Sequence, residues 1–220
     1  MPTPASRKAS RSTDDAALLT LIRAIVAGDT SQVSMLLGET LGLATQSLLV
    51  GATRASAVPY YLAEIGHYIY EGDTALHVAA AAYDRGAVRG LLAAGASIGA
   101  ANRRGAQAIH YAADGSPTSG TWNPAAQEEV VVALIEAGAN PNALDKSGVS
   151  PLHRAARTRC TGAVRALLAC GADPRIQNKS GSTPLDLARQ TTGRGGSGRA
   201  EAKAEQEVIM RLLGAGPSRR

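Results

Sequence analysis

The chain has 220 residues, a formal net charge of +5 and 45% hydrophobic residues, so it is long enough to bury a sizeable core. Only 3% of the residues are aromatic and phenylalanine is absent. The core is therefore expected to consist of Ala, Leu, Ile and Val, which argues against a β-sandwich or β-barrel. With 19% charged residues, the chain lacks the composition of a wholly disordered protein. No stretch approaches the length of a transmembrane helix.

The N-terminal third contains no obvious repeat. Residues 1–13 are basic and lack the apolar stretch of a secretory signal, so we interpret them as a disordered basic tail. Asp14 and Asp15 are positioned to cap a predicted helix from Ala16 to Val26, and Gly28 and Asp29 predict a break before a second helix. We interpret residues 14–71 as an N-terminal helical cap with a non-repeat insert at residues 41–71.

The insert contains four of the six tyrosines, at near-helical spacing: Tyr60, Tyr61, Tyr68 and Tyr70. Two interpretations remain open. The tyrosines pack as structure on the element that follows, or some of them reach a partner.

From residue 72 onward a sequence motif recurs four times. Its copies are 72–77 (GDTALH), 105–110 (GAQAIH), 148–153 (GVSPLH) and 181–186 (GSTPLD), which begin 33, 43 and 33 residues apart. A pair of alanines follows each of the first three copies, and every copy is followed by two adjacent aliphatic residues and a glycine. A fixed period of this length is typical of repeat proteins.

The residue types of one unit predict two short helices after a turn. The alanine pair permits close approach of a neighbouring helix, and the aliphatic pair on the second helix fills the layer between units. The closing glycines, such as Gly95 and Gly138, suit a left-handed helix end. Pro151 and Pro184 suit the first turn of a helix.

The third unit, with Ser-Pro-Leu-His-Arg-Ala-Ala at residues 150–156, resembles the ankyrin repeat signature T-P-L-H-x-A. The resemblance covers about residues 72–216, with repeats near 72–104, 105–147, 148–180 and 181–216. It implies an all-α fold, an ankyrin-repeat solenoid of stacked helix-turn-helix units joined by β-turns. The N-terminal helix pair is similar to a unit without its turn motif.

Two units depart from this pattern. The second has about ten extra residues near 115–124, which include the only tryptophan, Trp122. Trp122 either contacts a partner or folds back over the outer helix. The fourth has a Gly-rich linker before a predicted helix at about 200–213, which we interpret as the C-terminal cap.

Candidate chemical groups do not form a catalytic pattern. His77, His110 and His153 occupy equivalent positions, and the resemblance implies a structural role in which each ties neighbouring repeats together. The GxGxxG match at 193–198 has no preceding strand, and Cys160 and Cys170 are not spaced as zinc ligands. We expect no catalytic, metal or cofactor site and a cytoplasmic location.

The charge is concentrated in the C-terminal half. Residues 148–190 contain seven basic and two acidic residues. The basic residues of the third unit and its exit turn are Arg154, Arg157, Arg159, Arg165, Arg175 and Lys179. This cluster favours an acidic partner surface. Nucleic acid is the alternative, although aromatic residues for base stacking are missing here.

The resemblance implies a non-catalytic protein-interaction module, which we expect to be monomeric and not membrane-bound. Its contact positions would flank each leading glycine and follow each alanine pair. With Trp122 added, the predicted contact residues are Tyr70, Glu71, Asp73, Arg103, Arg104, Ala106, Asp114, Trp122, Lys146, Ser147, Val149, Arg157, Thr158, Lys179, Ser180 and Ser182. The alternatives are a nucleic-acid binder that uses the basic patch and a regulatory or substrate-presenting subunit of an enzyme.

Overall fold

A computed structural model of the chain describes residues 15–115, 122–190 and 200–214. The predicted basic tail, the GxGxxG match at 193–198 and most of the extra loop of the second unit lie outside the described residues.

Ten α-helices in the described residues form five consecutive pairs. They are α1 (Ala16–Val26) with α2 (Thr30–Glu39), α3 (Ala75–Ala81) with α4 (Arg85–Ala93), α5 (Ala108–Ala112) with α6 (Pro124–Glu136), α7 (Pro151–Thr158) with α8 (Thr161–Ala169), and α9 (Pro184–Arg189) with α10 (Ala200–Gly214). The first helices of successive pairs contact one another in chain order, and so do the second helices. The prediction of an all-α solenoid of stacked helix-turn-helix units is therefore confirmed.

Capping residues explain where the first helices begin. Ser150 precedes α7 and accepts a hydrogen bond from His153 N, while its own backbone N–H donates to the His153 ring. Thr183 and Asp186 make the corresponding pair at α9, so each helix starts with a reciprocal capping box. A proline occupies the first turn of both helices.

Small and large apolar residues divide the core between the two helix rows. The alanine pairs of α3, α5 and α7 are fully buried, and so are the leucines that face them from the second helices, Leu91, Leu134 and Leu167. Each second helix of these pairs is followed by a glycine with positive φ, as at Gly95 (φ 90°), where a side chain would be strained.

The non-repeat insert packs against the first turn of the solenoid. It contains two 3₁₀ helices, Leu43–Thr45 and Val58–Tyr60, followed by a hairpin of β1 (Tyr61–Leu62) and β2 (His67–Tyr68). The near-helical spacing of its four tyrosines does not correspond to an α-helix. Tyr60 instead ends a 3₁₀ helix, and Tyr61 pairs with Tyr68 across the hairpin.

Backbone hydrogen bonds attach the insert to the first repeat. Leu48 N donates to Asp73 O at 2.8 Å, and Gly72 N donates to Leu48 O at 2.7 Å. Gly51 lies so close to this turn that a Cβ there would overlap the backbone of Tyr70 and Glu71. The insert therefore extends the surface of the repeats instead of forming a separate unit.

Asp15 does not cap α1 through its side chain, contrary to the sequence interpretation. It occupies the N-cap position, but its backbone is αR and its side chain makes no capping hydrogen bond. Its buried carboxylate accepts hydrogen bonds from Leu49 N at 3.0 Å and Val50 N at 3.3 Å. The carboxylate thus pairs with backbone amides of the insert. This contact could not be predicted from the sequence, because the two segments are more than thirty residues apart.

The last helix pair covers the end of the core. Ile209 and Leu213 of α10 are buried, and Gln206 Nε2 donates to Ala188 O of α9 at 2.6 Å. Asp186 takes the place that histidine has in the first three units. A carboxylate is sufficient there because no described repeat follows whose turn the side chain would have to reach.

Candidate functional site

Successive turns of the repeats form a continuous edge, which we call the turn-tip surface. It comprises the exposed residues Glu71, Arg103, Arg104, Lys146, Ser147, Lys179 and Ser180. One backbone hydrogen bond of 2.9 Å joins each tip to the next: Arg103 N to Glu71 O, Lys146 N to Arg104 O, and Lys179 N to Ser147 O.

Side chains with carbonyl or carboxylate oxygens hold each tip in shape. Asp145 Oδ1 accepts from Ser147 N at 2.8 Å and Val149 N at 3.1 Å. Asn102 and Asn178 make the equivalent two bonds in the neighbouring turns. The backbone is thereby fixed while the side chains at the tips project into solvent.

Two cations of the second tip lie against an aromatic ring of the first. The guanidinium carbons of Arg103 and Arg104 lie 5.7 Å and 5.0 Å from the centre of the Tyr70 ring. Arg103 also donates to Ala52 O of the insert at 2.5 Å. These contacts orient both arginines without neutralising their charge.

A cleft of about 770 Å³ opens between the hairpin of the insert and the first helices of the second and third units. It is lined by Tyr61, Gly66, His67, Tyr68, Tyr70, Asn102, Arg104, Ala106, Tyr111, Asp114, Asp145, Ser147, Val149, Arg154 and Arg157. It therefore brings together seven of the predicted contact residues, namely Tyr70, Arg104, Ala106, Asp114, Ser147, Val149 and Arg157. It adds residues such as His67 and Tyr111 that the sequence analysis did not single out.

Arg154 lies at the floor of the cleft between two carboxylates. Its guanidinium nitrogens are 3.4 Å from Asp145 Oδ2 and 3.9 Å from Asp114 Oδ2. Its guanidinium carbon is 5.9 Å from the centre of the Tyr111 ring. The charge of Arg154 is thus compensated within the chain.

A buried polar cluster supports this floor from behind. Tyr111 OH donates to Asp73, with both carboxylate oxygens at 2.8 Å, and Asn102 Nδ2 donates to Asp73 Oδ1 at 2.8 Å. Burial and the adjacent Asp73 carboxylate raise the pKa of Tyr111, so its hydroxyl stays protonated as a donor.

Aromatic contacts hold the hairpin wall in place. The Tyr61 and Tyr68 ring centres are 4.7 Å apart, and His67 stacks on Tyr111 of α5 with ring centres 4.6 Å apart. The wall is therefore attached to a repeat helix and does not depend on the two-residue strands alone.

The three equivalent histidines each contact the next repeat. His77 Nε2 lies 3.0 Å from Ala106 O, His110 Nε2 lies 3.1 Å from Val149 O, and His153 Nε2 lies 2.9 Å from Ser182 O. The Nδ1 atom of each ring accepts a backbone N–H at the start of its own helix. The proton of the neutral ring must therefore be on Nε2, which donates to the carbonyl.

The remaining predicted contact residues differ in accessibility. Ser182 is half-buried, while Asp73 and Thr158 are buried and present no surface to a partner. Ala106 lines the cleft, but only 1% of it is exposed. Thr158 instead donates its hydroxyl to Arg154 O at 2.9 Å.

Trp122 is partly buried against the core. Its indole N–H donates to Gln127 Oε1 at 3.0 Å, and Gln127 Nε2 donates to Ala112 O at 2.9 Å. Tyr83 OH donates to Asp114 O at 2.5 Å nearby. Gln127 Nε2 also lies 3.3 Å from Asp114 O, so both described ends of the extra loop contact the same buried amide.

The basic cluster expected in the third unit is smaller than the sequence suggests. Arg159 is buried and donates to Gln190 O, Arg154 pairs with Asp145, and Arg175 pairs with Asp173 at 3.0 Å. The hydrogen bonds from Arg175 lower the pKa of Asp173. Among the described residues of this cluster, Arg157, Arg165 and Lys179 are exposed and have no described carboxylate within 4 Å.

The sequence analysis did not single out Tyr111, and it placed Arg154 in the basic cluster but not in a cleft. A signal was present, because both occupy the position after the histidine of the repeat motif, where the first unit has Val78. Tyr61 and Tyr68 were expected either to pack on the following element or to reach a partner, whereas His67 gave no signal, since it is outside the repeat.

Other kinds of site have no support in the part of the chain that the structure describes. It contains no group of three or more His, Cys, Asp or Glu placed to hold a metal ion. Cys160 is buried, which raises the pKa of its thiol to about 12 and makes it unreactive. None of the described helices has the length and apolar character needed to cross a membrane.

Comparison with protein families agrees with this architecture. A model described as "Ankyrin repeat" matches residues 71–103 and 104–146, and a model described as "Ankyrin repeats (many copies)" matches residues 134–188. Together the matches span residues 71–188, more than half of the chain. A search of curated proteins gives no match.

Proposed function

The chain belongs to the ankyrin repeat family, whose members generally mediate protein–protein interactions, and we propose that it is a non-catalytic module that binds an acidic protein partner. The proposed contact area is the turn-tip surface together with the adjoining cleft. Stacked repeats provide such extended surfaces because each unit uses its neighbours, and not the partner, to bury its core.

The observation that carries this proposal is the set of unpaired cations along the turns and on α7 at the cleft. Arg104, Lys146, Arg157 and Lys179 are exposed, and no described carboxylate lies within 4 Å of them. By contrast, Asp114 and Asp145 beside them face Arg154. The accessible charge of this surface is therefore positive.

An acidic partner would gain most from such an arrangement in recognition and rate of association. Charges at the rim of an interface speed the association of oppositely charged proteins and disfavour like-charged partners, and both effects weaken as the salt concentration rises. Arg104 and Tyr70 are also residue types that are enriched among energetically important interface positions.

Charge reversal at the turns tests the proposal. We expect the variant Arg104→Glu, Lys146→Glu, Arg157→Glu to lose capture of the partner from nuclease-treated host lysate at least tenfold, because an acidic surface would meet three like charges. Capture is measured by quantitative mass spectrometry against the wild-type chain.

The matched control places the same charge change on exposed positions of the second helices. Its substitutions are Arg89→Glu, Arg165→Glu and Arg211→Glu. The control should capture the partner like the wild-type chain. Equal loss in both variants, or no loss in the turn variant, would show that the turns do not form the interface. Loss of capture on nuclease treatment alone would favour a nucleic-acid binder.

A further inference from the structure

The two sides of the cleft differ in chemistry. The hairpin side presents the tyrosines of the insert, Tyr61 and Tyr68, and the repeat side presents Arg104, Arg154 and Arg157. Only the repeat side is built from positions that recur in every unit. The aromatic side exists because the insert folds back onto the first repeat.

Of the three arginines, two are free to meet a ligand. Arg154 is 11% exposed and lies between Asp114 and Asp145. Arg104 and Arg157 are exposed and make no ion pair with any described residue. An incoming anion would therefore be held at the rim by Arg104 or Arg157, because the floor, with one guanidinium between two carboxylates, offers no free cation.

The aromatic side is fixed before any ligand binds. His67 stacks on Tyr111, with an interplanar angle of 20°, and Tyr61 contacts Tyr68. Tyr61 remains 44% exposed, so part of its ring is available. A fixed aromatic wall binds a planar side chain at a low cost in conformational entropy.

We infer that the cleft receives an acidic peptide segment of the partner in which an aromatic residue is adjacent to Asp or Glu. The carboxylate pairs with Arg104 or Arg157, which can bind it through two parallel hydrogen bonds, and the aromatic ring packs on Tyr61 and Tyr68. This inference rests on the proposed function, and it assigns to the insert the selection of the partner sequence.

The size and charge of the cleft fit such a ligand. Its volume of about 770 Å³ is within the range of pockets that enclose most of a small ligand. A nucleic-acid backbone fits less well, because it carries a charge at every nucleotide and Asp114 and Asp145 in the floor would repel any phosphate that enters the cleft. The peptide avoids this repulsion, since its carboxylate stays at the rim and only its uncharged aromatic ring packs inside.

Selection from a random heptapeptide library displayed on phage tests the inference with the full-length chain as bait. Sequences with an aromatic residue next to Asp or Glu should be enriched. The most enriched peptide is then synthesised with a fluorescent label, and its dissociation constant is measured by anisotropy.

We expect Tyr68→Ala and Arg157→Gln each to raise the dissociation constant of this peptide by about tenfold, as is typical for loss of an aromatic or charged contact in an interface. Arg165→Gln on a second helix is the matched control and should bind like the wild-type chain. Melting followed by Trp122 fluorescence checks that each variant is folded. If Tyr68→Ala disturbs the hairpin, the variant Tyr61→Ala, which removes the more exposed ring, provides the test of the aromatic contact instead.

The result separates this inference from the proposed function. If the turn variant loses the partner but Tyr68→Ala and Tyr61→Ala bind the peptide normally, the turns form the interface and the aromatic wall does not select the ligand. Failure to enrich any peptide, or enrichment of peptides without an acidic residue, would also overturn the inference.

Discussion

Removal of residues 181–220 is expected to destabilise the remaining repeats and to make them associate. The deletion removes α9 and α10, whose Ile209 and Leu213 are buried in the common core. It exposes Leu167 of α8, which is fully buried in the complete chain. Exposure of a buried large apolar side chain lowers the free energy of unfolding by about 1.5–3 kcal/mol. Terminal units in repeat proteins also keep the stack soluble, which is why we expect the truncated chain to associate.

The same deletion breaks a polar contact at the end of the stack. His153 Nε2 lies 2.9 Å from Ser182 O, so the ring would lose its partner in the next unit. We therefore expect the free energy of unfolding to fall by several kcal/mol.

Urea unfolding followed by Trp122 fluorescence measures the stability of the truncated chain, and light scattering measures its association. A shorter deletion of residues 215–220 leaves α10 in place and is the control, which should melt like the full chain. A chain ending at residue 180 that stays monomeric with unchanged stability would contradict the assignment of the last unit as a cap.

Acidification from pH 7 to pH 4.5 is expected to destabilise the protein through the three repeated histidines. Burial lowers the pKa of His110 to about 4, and it also lowers the pKa of His77 and His153. In the unfolded chain these rings take up a proton near pH 6.5. The unfolded state therefore binds more protons at any pH between its own pKa and the lower folded pKa.

The sign of the effect follows from this difference. The free energy of unfolding is highest above about pH 6.5 and decreases as the pH falls towards 4. The shift of His110 alone corresponds to about 3 kcal/mol at the acidic end of this window. In the folded protein the Nδ1 atom of each ring accepts a backbone N–H, as His77 Nδ1 accepts from Thr74 N. Protonation would turn Nδ1 into a second donor facing that N–H, so the fold disfavours the charged ring.

Urea titrations at several pH values between 7.5 and 4.5 give the number of protons taken up on unfolding. We expect more than one proton near pH 5.5, and about one fewer in the variant His110→Gln. Stability that does not change across this range would show that the rings are not held neutral by the fold.

The repeats could be predicted from sequence because their contacts recur at the repeat spacing. The alanine pairs, the closing glycines and the histidines each meet an equivalent position in the next unit, so one unit explains the others. His110 illustrates this, since its ring reaches Val149 at the start of the next motif.

The cleft could not be predicted, because its parts meet through contacts that follow no period. Tyr111 stacks on His67 of the insert, and Asp73 of the first unit accepts a hydrogen bond from Tyr111 of the second. The charge pattern was misleading for a related reason. Arg159 and Arg154 count as positive in the sequence, but burial and nearby carboxylates remove them from the accessible surface.

Amide hydrogen exchange of the protein with its captured partner tests the central claim most directly. If the partner binds the turn-tip surface and the cleft, exchange should slow at the amides of residues 103–106, 146–149 and 179–182 and of the hairpin at residues 61–68. Slowing confined to the second helices α4, α6 and α8, with the turns unchanged, would contradict the account.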